Sequence, residues 1–128
     1  MGQELLVADD DPRVAEMLAE YLEQLGFSVR ATSSAEVVRQ WLQKTGEPVI
    51  LDGSVLRDVG ISLGELPATR AFIWSGDPRL IREARQLGLR AFCKGDLQDF
   101  KGLLQGLADR NFVSNPPERT QGTRRALG

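Results

Sequence analysis

The feature that most constrains this chain is an alternation. Five short apolar runs, each stopped by an acidic or small polar or basic residue, are separated by stretches whose apolar residues recur at helical spacing. A short, continuous apolar run reads as a strand buried on both faces, and a stripe at i, i+3, i+4, i+7 reads as a helix lying on a sheet. Leu5-Leu6-Val7-Ala8 is the first run, and Asp9-Asp10-Asp11 ends it. Asp11-Pro12 has the form of an N-cap followed by proline at the first helical position. Val14, Met17, Leu18, Tyr21, Leu22 and Leu25 then keep helical spacing until Gly26. Residues 27–31 form the second run. Ser33 with Glu36 has the spacing of a capping box ahead of Val37, Val38, Trp41 and Leu42, and Gly46 is the expected stop. Residues 48–51 are the third run, ended by Asp52.

Between residues 53 and 70, Gly60, Gly64 and Pro67 break any long helix, so a short or irregular crossover is expected. Ala71-Phe72-Ile73-Trp74 is the fourth run and stops at Ser75-Gly76. Asp77-Pro78 repeats the cap-and-proline pattern before Leu80, Ile81, Ala84 and Leu87, with Gly88 beyond them. Ala91-Phe92-Cys93 is the fifth run, ending at Lys94, and Asp96 caps a last helix carrying Leu97, Phe100, Leu103, Leu104 and Leu107. From Ser114 to Gly128 the chain turns polar, contains Pro116-Pro117 and loses periodicity, so a disordered tail over 114–128 is expected after a domain over 1–113. Strands alternating with helices predict an α/β fold, a parallel sheet covered on both faces and wound by right-handed crossovers.

Composition removes several classes of function. The 128 residues suit one domain. With no histidine and a single cysteine, Cys93, zinc sites, disulfide frameworks and histidine acid–base chemistry are excluded. A net charge of −2 argues against a nucleic-acid surface. No apolar run approaches the ~20 residues of a membrane span, and the start MGQELL lacks a signal peptide's basic region, so a cytoplasmic location is expected. Cys93, Trp41 and Trp74 read as packing residues, and the arginines of the tail as a solvated end.

In a doubly wound sheet, ligands sit beyond the carboxyl ends of the strands. Those ends carry Asp9, Asp10 and Asp11 from the first strand, Asp52 from the third, Ser75 from the fourth and Lys94 from the fifth. Two carboxylates ~4 Å apart repel by ~4 kcal/mol at an effective dielectric of 20. A cluster of three calls for relief, which Mg²⁺ provides because it prefers oxygen ligands and is held by carboxylates, waters and phosphate oxygens. With a hydroxyl from Ser75 and an ammonium from Lys94, the set reads as a phosphoryl-handling site in which one carboxylate attacks. Asp11 is assigned to helix capping alone.

Over roughly residues 4–110 this arrangement resembles the receiver domain of two-component response regulators. The resemblance rests on Asp9-Asp10 after LLVA, Asp52 in VILD, Ser75-Gly76 after FIW and Lys94 after AFC. It implies a flavodoxin-like five-stranded sheet of order 2-1-3-4-5. It makes Asp52 the phosphoacceptor, with Asp10, Asp52 and the backbone carbonyl of Ser54 on Mg²⁺, Asp9 acting through water, and Ser75 and Lys94 on the phosphoryl oxygens. The donor would be a sensor histidine kinase or a histidine phosphotransfer protein. Output would be a contact with a downstream protein on the face of helix four, strand five and helix five, with no nucleic acid and no membrane. The protein would then be no enzyme beyond its own phosphorylation and dephosphorylation.

The chain also departs from the family pattern. Lys94 is followed by Gly95 where proline is usual, and Ala91 stands where an aromatic commonly sits. The third crossover is short by about two helical turns, and Gly53-Ser54 replaces the usual Met-Pro region. No aromatic rotamer switch is therefore expected at position 91, and the loop at Ser75-Gly76 is expected to carry the response. Two other functions compete with this one. A pseudo-receiver would keep the fold and signal without phosphorylation. An enzyme of the haloacid-dehalogenase type shares an Asp-x-Asp after strand one, but Pro12 replaces the Gly-Thr usual there and no acidic pair ends a later strand.

Overall fold

The computed structural model describes residues 4–114. Its five strands are β1 (Glu4–Ala8), β2 (Ser28–Thr32), β3 (Val49–Leu51), β4 (Ala71–Ser75) and β5 (Arg90–Cys93). The helices are α1 (Pro12–Gln24), α2 (Ala35–Lys44), α3 (Gly53–Val59), α4 (Pro78–Gln86) and α5 (Leu97–Ser114), with a short 3₁₀ turn at Leu63–Glu65. All pairings are parallel and the order is β2-β1-β3-β4-β5, the expected doubly wound topology. Of the expected tail, Ser114 closes α5, and residues 115–128 lie outside the described residues. No described helix is long and apolar enough to cross a membrane.

Side chains of a strand alternate between faces, so each central strand feeds two cores. Leu5 and Val7 of β1, Ile50 of β3 and Phe72 of β4 pack with Ala15, Leu18 and Leu22 of α1 and Leu103 and Leu107 of α5. The alternate residues Leu6, Ala8, Val49, Leu51, Ala71 and Ile73 pack with Val38 and Trp41 of α2, Val55 and Val59 of α3, and Ile81 and Ala84 of α4. Ala91 joins this second core, whereas Phe92 belongs to the first, as alternation requires. Helix α5 comes close to the sheet through Gly106, where an added Cβ would lie 3.0 Å from the ring of the fully buried Phe72.

Local boundaries moved where two polar residues compete for one role. Ser34, not Ser33, caps α2, its Oγ accepting from Val37 N at 3.3 Å. Strand β2 runs one residue further than expected, and the Thr32 hydroxyl takes the Ser34 amide at 3.0 Å, which displaces the helix start. Glu36 is left to pair with Arg39 at 2.9 Å, so the expected capping box is not formed. The helix ends with Thr45 as its C-cap, one residue before Gly46. In α1 the apolar stripe is wider than its buried face: Leu18 and Leu22 are buried, but Met17, Tyr21 and Leu25 are exposed.

The outer edge of β5 is closed by side chains. Arg85 of α4 donates from Nε and Nη2 to the Ala91 carbonyl at 3.0 and 2.7 Å. Asp99 of α5 accepts from the Cys93 amide at 2.7 Å and pairs with Arg85 at 3.3 Å. Unpaired edge groups are templates for adventitious strand pairing, and this clasp occupies them.

Candidate functional site

Each strand end delivers its residue for a local reason. Asp9 follows β1 and is 4% exposed; its Oδ1 accepts from Asp11 N at 3.0 Å, which turns the chain toward α1. Asp11 then caps α1, accepting from Arg13 N at 3.0 Å. Asp52 follows β3, its own amide bonded to the Ala8 carbonyl at 3.0 Å, and is 8% exposed. Helix α3 begins at the very next residue, so Asp52 is also its N-cap, with Oδ2 accepting from Ser54 N at 3.0 Å. The short crossover seen in the sequence thus starts as a seven-residue helix, Gly53–Val59, directly after Asp52. Ser75 ends β4 and is 5% exposed, and its carbonyl accepts from Lys94 N at 2.9 Å, which locks the ends of β4 and β5 together.

The centre of the site is the ammonium of Lys94. Its Nζ donates to Asp9 Oδ2 at 2.8 Å and to Asp52 Oδ1 at 2.6 Å, across 85 and 42 residues of sequence. Asp10 is exposed beside them, and one carboxylate oxygen from each of Asp9, Asp10 and Asp52 lies within 4.8 Å of the others. Three carboxylates facing one ammonium leave two negative charges unbalanced. That donor set, all oxygen and doubly negative, fits a hard divalent cation. The strain shows on Asp10. Loss of solvent around its carboxyl, then the hydrogen bond from Asp9 and the charges of Asp52 and Asp9, hold it above the usual carboxylate range, although the residue as a whole is exposed. For Lys94, burial works against the charged form, but the bonds to Asp52 and Asp9 outweigh it and hold the ammonium above its ordinary range.

Ser54 meets the site through its amide. It is the second residue of α3, and its N–H donates to Asp52 Oδ2 at 3.0 Å. Ser75 Oγ accepts from Asp77 N at 3.1 Å, which leaves its own proton free to donate. Asp77 in turn caps α4 through Arg79 N at 3.0 Å. Gly53 packs closely: a Cβ there would stand 2.6 Å from the flexible end of Leu80, Cδ2, and 3.3 Å from Ser75 Oγ. One contact had no sequence signal. Trp74, read as a packing residue, presents its ring to Lys94 Nζ with the centroid 5.2 Å away.

No family model matches this sequence, and no curated protein matches it. Solved structures do. The response regulator receiver protein from Burkholderia phymatum is 22% identical, with a TM-score of 0.61 over 84% of this chain and 94% of that one. The CheY-like receiver domain from Methylobacillus flagellatus is 21% identical, with a TM-score of 0.58 over 84% and 99%. The response regulator protein TrrA from Thermotoga maritima, solved in complex with Mg²⁺-BeF, is 16% identical, with a TM-score of 0.61 over 84% and 98%. The chain therefore has the fold of response regulator receiver domains.

Proposed function

We propose that this receiver-fold chain is a phosphoacceptor signalling protein, taking a phosphoryl group from a phosphohistidine donor onto Asp52 in an Mg²⁺-dependent reaction. The observation that carries the reading is the bridge from Lys94 Nζ to both Asp9 and Asp52, beside a third carboxylate, at the strand ends of this fold. Asp9, Asp10 and Asp52 would hold the cation, whose part is to neutralise phosphoryl oxygens as they enter an acidic pocket.

The chain's own residues do the rest. An Asp52 carboxylate oxygen forms the O–P bond while the donor's P–N bond breaks and its electron pair returns to the imidazole nitrogen. The Ser54 amide fixes the carboxylate plane through Oδ2. Lys94 is released from Oδ1 to a phosphoryl oxygen, exchanging one anionic partner for another, and Ser75 donates its free hydroxyl proton. Because Ser75 Oγ also holds the Asp77 amide, and Asp77 caps α4, any turn of that hydroxyl reaches α4 within two hydrogen bonds. This supports a response carried by the loop at Ser75-Gly76 in a chain with Ala91 in place of an aromatic.

The donor is then a sensor histidine kinase or a histidine phosphotransfer protein, and the setting is cytoplasmic. A downstream protein would be met on the face of α4, β5 and α5. That face carries a groove of about 520 Å³ lined by Pro78, Ile81, Arg82, Arg85, Cys93 and Asp99. A second reading, a pseudo-receiver that signals unphosphorylated, is favoured by one fact: Lys94 and Ser54 already occupy both oxygens of Asp52.

Intact mass after incubation with acetyl phosphate separates the two. The expected result is a single phosphoryl adduct that requires Mg²⁺ and is absent from Asp52→Asn. No adduct from acetyl phosphate or from a phosphohistidine donor would refute the first reading in favour of the second.

A further inference from the structure

The geometry points to Trp74 as a positioning residue for Lys94, a cation–π platform that holds the ammonium over Asp9 and Asp52. The inference rests on the phosphoryl-site reading and deepens it. Lys94 Nζ stands 5.2 Å from the centroid of the indole while donating to both carboxylates. The side chain of Lys94 is 27% exposed, so the ammonium is only partly solvated and depends on protein groups on its remaining sides.

Trp74 offers it nothing but a face. The indole Nε1 is buried without a hydrogen-bond partner among the described residues, so no polar bond sets the ring's orientation. Packing sets it instead. Phe100 of α5 lies 6.2 Å away at 38°, and Tyr21 of α1 backs Phe100 at 5.5 Å and 47°. A smaller apolar residue at this position would keep part of the packing against Phe100 but leave Lys94 without its platform. An aromatic face near a cation is worth most when the cation is desolvated, and indole is the best of the three rings. The ring therefore favours the conformer in which Lys94 points into the site over those in which it swings to solvent.

The test has two parts. The first is a double-mutant cycle in chemical unfolding with Trp74→Leu, Lys94→Met and both together. The pair should be coupled by about three- to tenfold in the folding constant, whereas a purely structural role for the indole makes the two effects additive and overturns the inference. The second is the affinity of the full chain for beryllofluoride in the presence of Mg²⁺. Trp74→Leu should bind about three- to tenfold more weakly, with Trp74→Phe restoring affinity to within about twofold of the native chain. Equal affinity in native and Trp74→Leu chains would overturn the positioning role alone. Coupling without any beryllofluoride binding by the native chain would overturn the phosphoryl-site reading, and the role of Trp74 with it. Should Trp74→Leu not fold, the emission of Trp74 in a Trp41→Phe background carries the test. Adding Lys94→Met should shift that emission, and an unchanged spectrum refutes the contact.

Discussion

Restoring the lysine–proline pair usual in receiver domains should damage this protein. Gly95 has φ +84° and follows Lys94 directly. The Asp96 amide returns to the Cys93 carbonyl at 3.4 Å, so residues 93–96 form a turn with Gly95 at its third position, where type II geometry demands a positive φ. Nothing lies within 4 Å of a Cβ built on Gly95, so substitution there tests the backbone and no packing. Alanine in the left-handed region should cost about 1–2 kcal/mol, and asparagine about half of that, because it tolerates this region better. Proline is locked near −65° and cannot reach +84°, so the turn must be rebuilt, at about 3 kcal/mol or more. The rebuilding also displaces Lys94 from Asp9 and Asp52. Urea unfolding should rank stability as Gly, then Asn, then Ala, with Pro far below, and adduct formation on Asp52 should fall most in Gly95→Pro. A Gly95→Pro protein as stable as Gly95→Ala would refute the argument, since it would mean that this turn accepts a negative φ.

Further outcomes concern Asp10 and the β5 edge. Asp10→Asn should be more stable than the native chain in Mg²⁺-free buffer at pH 7, by a few tenths to about 1 kcal/mol. The folded Asp10 carboxyl titrates above its unfolded value, so its charge opposes folding above the unfolded range, and the penalty fades as pH falls through the raised folded value. The advantage of Asp10→Asn in thermal unfolding should therefore shrink between pH 7 and pH 4, and a less stable variant at pH 7 would refute the crowding. At the β5 edge, Asp99→Ala removes the acceptor of the Cys93 amide and the partner of Arg85, and should cost about 1–2 kcal/mol. It should also speed hydrogen exchange at Cys93. Arg85→Ala should cost less, because Arg85 is half exposed and water can replace it at the Ala91 carbonyl.

What could be read from the sequence was whatever a period or a stop residue encodes. Asp11-Pro12 and Asp77-Pro78 mark the starts of α1 and α4 because proline fits only the first helical turn, and both proved to be caps with the expected amide bonds. The first, third, fourth and fifth apolar runs each ended at a residue that the topology then brought to the site. Legibility failed where neighbouring residues are chemically equivalent. Ser33 and Ser34 are both good caps, and only the length of β2 chose between them. It failed again where a three-dimensional relation decides the role. The stripe on α1 could not show that Met17 and Tyr21 lie beyond the sheet's reach. Nor could the sequence show that α3 starts immediately after Asp52, turning the Ser54 amide toward the carboxylate.

That last point alters what the site asks of Asp52. As the N-cap of α3, its carboxylate holds a helix terminus, and as the partner of Lys94 it balances an ammonium. Both roles are electrostatic, and both survive the addition of a phosphoryl group, which keeps negative charge beside the ammonium and leaves a carboxyl oxygen for the Ser54 amide. Neutralising the side chain separates them: Asp52→Asn keeps an oxygen for the cap but removes the anion from Lys94. The chain then retains the Asp9–Lys94 bond alone, with one carboxylate fewer crowding Asp10. Loss of repulsion and loss of attraction therefore oppose each other in Asp52→Asn. Little change in stability with complete loss of the Mg²⁺-dependent adduct is the outcome this balance requires.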